Sequence, residues 1–309
     1  MRYQIEHVTT YRYSDSVPIS HNMLRLEPRT LPGQTVVSFE LTIDPEPNAV
    51  SHAVDYYGNP VAFFSIDRRY TGLSVRASSE LHVDRGDVVA QLGPGGRWEE
   101  VRNRLATDRT PAWLDAHQFL FDSPLVVASA DFRDFAAKSF EPGRPVVEAA
   151  RDLMSRVHEE FTYDINATNV ATAATEAFGL RAGVCQDFAH VMIAMLRSLG
   201  LPARYVSGYV RSIPAPGRPR MIGAAASHAW VSVFCGDAGW LDLDPTNDVP
   251  INEDHVVIGW GRDYGDVPPV RGLFVGGGDH SLSVSVDVAP LDLEQPVGRS
   301  LPFAATPAG

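Results

Sequence analysis

Cysteine and histidine are the residue types in this chain that could together carry nucleophilic chemistry. Cys185 lies in the run Gly183-Val184-Cys185-Gln186-Asp187-Phe188-Ala189-His190. From Phe188 the apolar residues Val191, Met192, Met195, Leu196 and Leu199 recur at steps of one, three and four, which predicts a helix with one buried face. Gly200 and Pro202 stop it. Cys185 is therefore expected in or just before the first turn. Unpaired N–H groups and the helix dipole favour negative charge there, and so the thiolate, the nucleophilic form. A small buried hydrophobe would suit the same position, so the downstream residues must decide.

Cysteine catalysis needs a base beside the thiol and a group that orients the base. Ser227-His228-Ala229-Trp230 opens one alternating run, and Trp240-Leu241-Asp242-Leu243-Asp244-Pro245-Thr246 closes the next. Adjacent antiparallel strands would set His228 and Asp244 side by side as cross-strand neighbours. The roles would then be Cys185 as nucleophile, His228 as base and then acid, and Asp244 as holder of the ring tautomer. Asp242 shares the sheet face of Asp244, so alternation leaves the choice between them open. Each residue also has a plain structural reading: a hydrogen-bonded histidine, a turn-starting aspartate before proline, core tryptophans at 230 and 240.

The elements that must position these residues follow from periodicity. Residues 1–85 alternate with period two around turn signals such as Asp44-Pro45-Glu46-Pro47 and Tyr57-Gly58-Asn59-Pro60, which predicts an antiparallel β-sandwich. Asp55 and Gly58-Asn59 read as turn chemistry. The Gly-rich stretch 91–96 reads as a connector. Helices are expected at Ala128–Ser139 and Pro145–Phe161, and a short helix or turn at Thr172–Leu180. Strands return at Ala203–Val210, Ala229–Phe234 and Trp240–Leu243, with Ser281–Val288 as a final strand. The fold class is α+β: a sandwich over 1–85, a core with a helical lead-in over 86–295, and a tail over 296–309.

Composition narrows the function classes. The 309 residues carry a net charge of -12 and are 44% hydrophobic. An acidic chain of this kind is not expected to bind nucleic acid or an anionic membrane surface. Its two cysteines, Cys185 and Cys235, make neither a disulfide framework nor a CxxC metal pattern, which suits a reducing compartment. The first residues lack an apolar signal segment, and no apolar run reaches membrane-spanning length, so a cytoplasmic location is expected.

Four ordered segments then carry a resemblance: Gly183–Ala189, Ala203–Tyr209, His228–Val231 and Gly239–Thr246. Together they resemble the transglutaminase-like core, whose papain-like plan packs a nucleophile helix against a sheet bearing His and Asp. The N-terminal strands, with Asp55-Tyr56-Tyr57-Gly58-Asn59-Pro60, resemble the sandwich domain that precedes this core in bacterial members. The resemblance implies that Asp244, in Asp-Pro-Thr, is the orienting carboxylate in preference to Asp242. It implies acyl chemistry through a thioester on Cys185: hydrolysis of a peptide or amide first, acyl transfer to an amine second, with a peptide or protein as substrate.

Lesser expectations attach to single residues. The backbone N–H of Cys185 is expected in the oxyanion hole. Animal transglutaminases add an upstream tryptophan, but this chain has none between Trp113 and Trp230, and Tyr163 is the substitute. Trp230, and Asp263 and Tyr264 from the Gly261–Pro269 loop, are expected at the substrate groove. His190 and Cys235 are read as structural. No cofactor or metal is expected, since no acidic loop has a calcium pattern, and a zinc site of Cys185, His190 and His228 lacks a standard spacing. A non-catalytic binding scaffold is the alternative from another class. The proline-rich stretch Arg211–Met221 is expected to be a mobile loop covering Cys185.

Overall fold

The computed structural model describes residues 1–211 and 227–292. Most of the proline-rich stretch ahead of His228, and the tail from 293, lie outside the described residues. In chain order the strands β1 (Arg2–Val17), β2 (Ile19–Leu24), β3 (Gln34–Asp44), β4 (Ala49–Val54), β5 (Pro60–Ile66) and β6 (Tyr70–Val83) come first. Helices α1 (Val88–Leu92), α2 (Trp98–Arg104), α3 (Pro111–His117), α4 (Ala130–Ala137) and α5 (Val146–Glu160) follow. Then come β7 (Thr162–Tyr163), α6 (Ala174–Leu180), β8 (Ala182–Gly183) and α7 (Cys185–Ser198). The chain continues through β9 (Ala203–Val210), β10 (His228–Phe234), β11 (Trp240–Asp244), β12 (Val249–Pro250), β13 (His255–Gly261), β14 (Val270–Val275) and β15 (His280–Pro290).

Two antiparallel four-stranded sheets, ordered β15-β1-β6-β3 and β14-β2-β5-β4, form the sandwich. Alternate residues of β1 and β6 turn inward, and Tyr13, Val17, Leu24, Phe64, Ile66, Leu73 and Val75 fill the space between the sheets. The membership corrects an expectation. The bounds 86–295 place the last strands in the core, yet β15 pairs along β1 from Tyr3↔Pro290 to Tyr13↔His280, and β14 pairs with β2. Antiparallel pairing sets no limit on sequence separation. The long strand β1 would otherwise present an unpaired edge, and its partner returns from the far end of the chain.

The core is a five-stranded sheet, ordered β12-β11-β10-β9-β13, with helices over one face. Ala203, Tyr205, Ala229, Val231, Val233, Leu241 and Leu243 point from it into a cluster shared with α4, α5, α6 and α7. The helix expected to bury one face is instead buried on every side: Gln186 through Ser198 are all buried. The sheet covers one side of α7 and the other helices cover the rest. The run Val191-Met192-Ile193-Ala194-Met195-Leu196 is apolar without a break, which is the mark of a central helix. Burying each large side chain of this run contributes about 1.5–3 kcal/mol, enough to make α7 a rigid base for its first residue. Tyr3, Ile5, Leu81 and Val83 of the sandwich meet Tyr209, Val256 and Ile258 of the core sheet, so the two parts share a packed junction. Among the described residues no helix is long and apolar enough to cross a membrane.

Candidate active site

Cys185 is the first residue of α7 and is partly exposed. The turn that places it depends on Asp187, whose side chain folds back over the preceding residues. Its Oδ2 accepts from the backbone N–H of Val184 at 2.8 Å and from the Thr168 hydroxyl at 2.6 Å. A Cβ at Gly183 would lie 2.4 Å from that same oxygen, so only glycine admits the fold-back. This is a local reason for the spacing Gly-x-Cys-x-Asp.

His228 opens β10 and Asp244 ends β11. Val231 pairs with Leu243, and continuing that register sets Asp244 across from Trp230. His228 and Asp244 are thus diagonal rather than directly opposed, within reach of long side chains. His228 Nε2 donates to Asp244 Oδ2 at 2.7 Å. The Cys185 side chain acts on the same ring and helps to raise its pKa. With Nε2 committed to the carboxylate, Nδ1 is the nitrogen left for the thiol. Asp242 instead accepts from Trp230 Nε1 at 3.5 Å, so geometry separates the two aspartates that alternation could not.

Asp244 is fully buried and saturated with donors. Its Oδ2 also receives Asn247 Nδ2 at 2.6 Å and His255 Nε2 at 3.2 Å, and its Oδ1 receives the Thr246 backbone N–H at 3.0 Å. Burial alone would raise its pKa, but the donors, His228 first, hold it well below the usual carboxylate range. For His228, burial alone would favour the neutral ring. The hydrogen bonds to Asp244 and Cys185, with the charges of both, outweigh it and push the imidazole up to about 10. Asn247 and His255 were not foreseen. Asn247 had a signal, three residues past an Asx-type turn start; His255 arrives from β13 by tertiary packing alone.

The remaining expected site residues separate. Tyr163 pairs with Gly183 in the short parallel β7–β8 ladder, beside the turn that leads to Cys185. It is half exposed, and burial, then the negative charge of Cys185, push its hydroxyl up, so it stays a proton donor. Tyr264 is partly exposed and meets Tyr205 edge-on. Trp230 and Asp263 leave the groove. Trp230 is fully buried behind His228 and His255, packed so closely on the neighbouring β9 that a Cβ at Gly208 would lie 2.3 Å from its ring. Asp263 is buried because its carboxylate caps its own loop, accepting from the N–H groups of Gly265 at 2.8 Å and Leu125 at 2.9 Å. His190 accepts at Nε2 from the Tyr264 N–H at 3.1 Å, which removes it from any shared site with Cys185 and His228.

The geometry can be set beside known proteins. The model of the bacterial transglutaminase-like N-terminal region matches residues 3–82, and that of the transglutaminase-like superfamily matches residues 133–245. An uncharacterised Mycobacterium tuberculosis protein is 42% identical over 302 residues, covering 94% of this chain and 93% of the relative. A protein-glutamine gamma-glutamyltransferase of Pseudomonas aeruginosa is 28% identical over 193 residues, 60% of this chain and 28% of that one. A crystal structure from Cytophaga hutchinsonii, described as that of a candidate cysteine protease, superposes with a TM-score of 0.73 at 22% identity, covering 99% of this chain and 94% of the other. That likeness extends over both sandwich and core and concerns the fold. Motifs, matched regions and architecture agree that the chain belongs to the transglutaminase-like superfamily.

Proposed function

We propose that this chain is a cysteine hydrolase acting on peptide or amide carbonyls. The observation that carries the reading is the hydrogen bond of His228 Nε2 to the buried Asp244 at 2.7 Å, on a ring that the Cys185 side chain also acts on. In the first half-reaction the Cys185 thiolate adds to the carbonyl carbon and the carbonyl electron pair moves to oxygen. The backbone N–H of Cys185 and the Tyr163 hydroxyl receive that oxyanion. The intermediate collapses to a thioester as the leaving amine takes a proton from His228. In the second half, His228 takes a proton from water as its oxygen adds to the thioester carbonyl, the C–S bond breaks to release the Cys185 thiolate beside protonated His228, and the acid departs. Asp244 keeps the ring in the Nε2–H tautomer throughout and stays ionised.

Acyl transfer is the second reading, favoured by the similarity to the Pseudomonas aeruginosa gamma-glutamyltransferase. An amine then takes the place of water on the same thioester.

The test is the iodoacetamide alkylation rate of Cys185 from pH 5 to 9, read by mass spectrometry with Cys235 as internal control. Fast reaction at pH 6 is expected. In His228→Ala it should slow about 300-fold, because an unassisted thiol of pKa about 8.5 is only about 0.3% ionised at that pH. Equal rates in the two chains would remove His228 as the activating base and move the non-catalytic scaffold ahead. Turnover of a peptide-amide panel with and without added amine then separates hydrolysis from transfer.

A further inference from the structure

On the sheet face turned away from α7, a groove of about 460 Å³ opens where the sandwich meets the core. Leu31, Val88, Ile251, Trp240 and Trp260 line it, with the polar side chains of Asp84, Arg85 and Gln91 among them. Arg204 of β9 lines it and is only 7% exposed. Its guanidinium carbon lies 4.1 Å from the Trp240 ring centre and 3.9 Å from that of Trp260. The two indoles lie against the guanidinium, so its N–H groups are what it can still offer to an acceptor.

The other buried arginines of the described chain show what is missing. Arg197 donates to the carbonyls of Ala203, Arg262 and Phe121 and to the Ser123 hydroxyl. Arg85 donates to the carbonyls of Asn252 and His255 and to Gln34 Oε1. Among the described residues Arg204 makes no such bond; its Nε is buried and without a partner. Asp242 shares the groove and acts on Arg204 through its charge, but among the described residues no ion pair within 4 Å joins them. A buried charge is normally paired and hydrogen-bonded, and a guanidinium edge matches a carboxylate with two parallel bonds. The volume, the mixture of apolar side chains with a few polar ones, and the junction position are those of a small-molecule site.

We propose that this groove binds a zwitterionic amino acid or short peptide with an apolar side chain, its carboxylate on the edge of Arg204 and its ammonium group toward Asp242. The site is separate from Cys185 and stands whether or not the chain is a hydrolase. Binding is read from the indole N–H signals of Trp240 and Trp260 in 15N-labelled Cys185→Ala protein, which removes the nucleophile from the experiment. The probes are leucine, Leu-Leu, N-acetyl-Leu-Leu and Leu-Leu amide. Saturable shifts of both indoles with Leu-Leu are expected, at least tenfold weaker with the amide and less weakened by acetylation. Tighter binding of leucine than Leu-Leu would assign the site to an amino acid, and the reverse to a peptide; either supports the proposal. Val88→Glu adds a competing carboxylate at the rim without entering the core and should weaken Leu-Leu at least tenfold. Arg204→Lys should do the same if it folds. Equal binding of acid and amide, or no shift with any probe at about 10 mM, overturns it.

Discussion

Strand β10 has a cysteine near each end, and the two surroundings differ in every respect that governs thiol chemistry. At its start, His228 reaches Cys185, which stands partly exposed on the first turn of α7. Just past its end, Cys235 is 1% exposed, and burial pushes its thiol up to about 12 despite a backbone contact from Leu241. Its sulfur has a carbonyl, that of Val233, at 3.7 Å. The difference teaches that a cysteine becomes a reagent through what can stabilise its anion. Cys185 has a helix start and an imidazole; Cys235 has a dry apolar cluster.

The largest effect should come from exchanging each cysteine for alanine. Cys185→Ala should reduce turnover of any peptide amide the chain hydrolyses to the background rate, whereas Cys235→Ala should keep kcat within about twofold. Loss of turnover in Cys235→Ala, with folding intact by circular dichroism, would end the contrast drawn here.

Next in size is Asp244→Asn. The side chain keeps its shape but loses the charge that holds His228 protonated and the acceptor that fixes its tautomer. A fall of about 10⁴ in kcat is expected, the size seen when a triad carboxylate is neutralised. The reaction of Cys185 with iodoacetamide at pH 6 should fall with it, while that of Cys235 stays unchanged. A loss under tenfold in kcat would show that His255 and Asn247, which share the carboxylate, hold the ring without its charge.

A smaller loss is expected from Tyr163→Phe. If the hydroxyl donates to the oxyanion, kcat should drop about 10²–10³-fold with KM little changed, because the interaction exists only in the transition state. Loss confined to KM would make Tyr163 a binding contact. Alkylation of Cys185 should be untouched either way, since that reaction forms no oxyanion.

How much of this could be read beforehand depended on how local the cause was. Gly183, Cys185 and Asp187 constrain one another within a single turn, so their spacing carries the geometry in plain view. His228 and Asp244 lie on neighbouring strands, and alternation narrowed the carboxylate to two candidates; the register chose between them. Trp230 and Asp263 were expected at a groove because aromatic and acidic residues often line one, but exposure is a tertiary property. The close packing at Gly208 and the caps at Gly265 and Leu125 draw both inside. The pairing of β15 with β1 was least legible, since a strand pattern says that a partner is needed and never which one. The all-round burial of α7 had a signal in its unbroken apolar run, which a one-face stripe understated.

The smallest effect belongs to His190, on the same helix as Cys185 but fully buried. Burial drives its pKa down to about 4, with Asp263 opposing and Arg197 assisting, and its Nδ1 has no partner among the described residues. The ring is therefore neutral in the folded chain at pH values where a free histidine, with a pKa of about 6.5, would be charged. Between pH 6.5 and 4 the unfolded chain binds the extra proton, so the folded state loses stability as pH falls through that window and keeps it in full above 6.5. His7, also buried and lowered to about 4, adds to the same slope. Urea denaturation at pH 7 and pH 5 should show wild-type stability dropping over the interval, and His190→Gln should drop less. An equal drop in both chains would mean that His190 takes its proton without unfolding, by releasing the Tyr264 loop from its Nε2. That release would expose the helix behind Cys185 at acidic pH, and the contrast between the two ends of β10 would then narrow in acid.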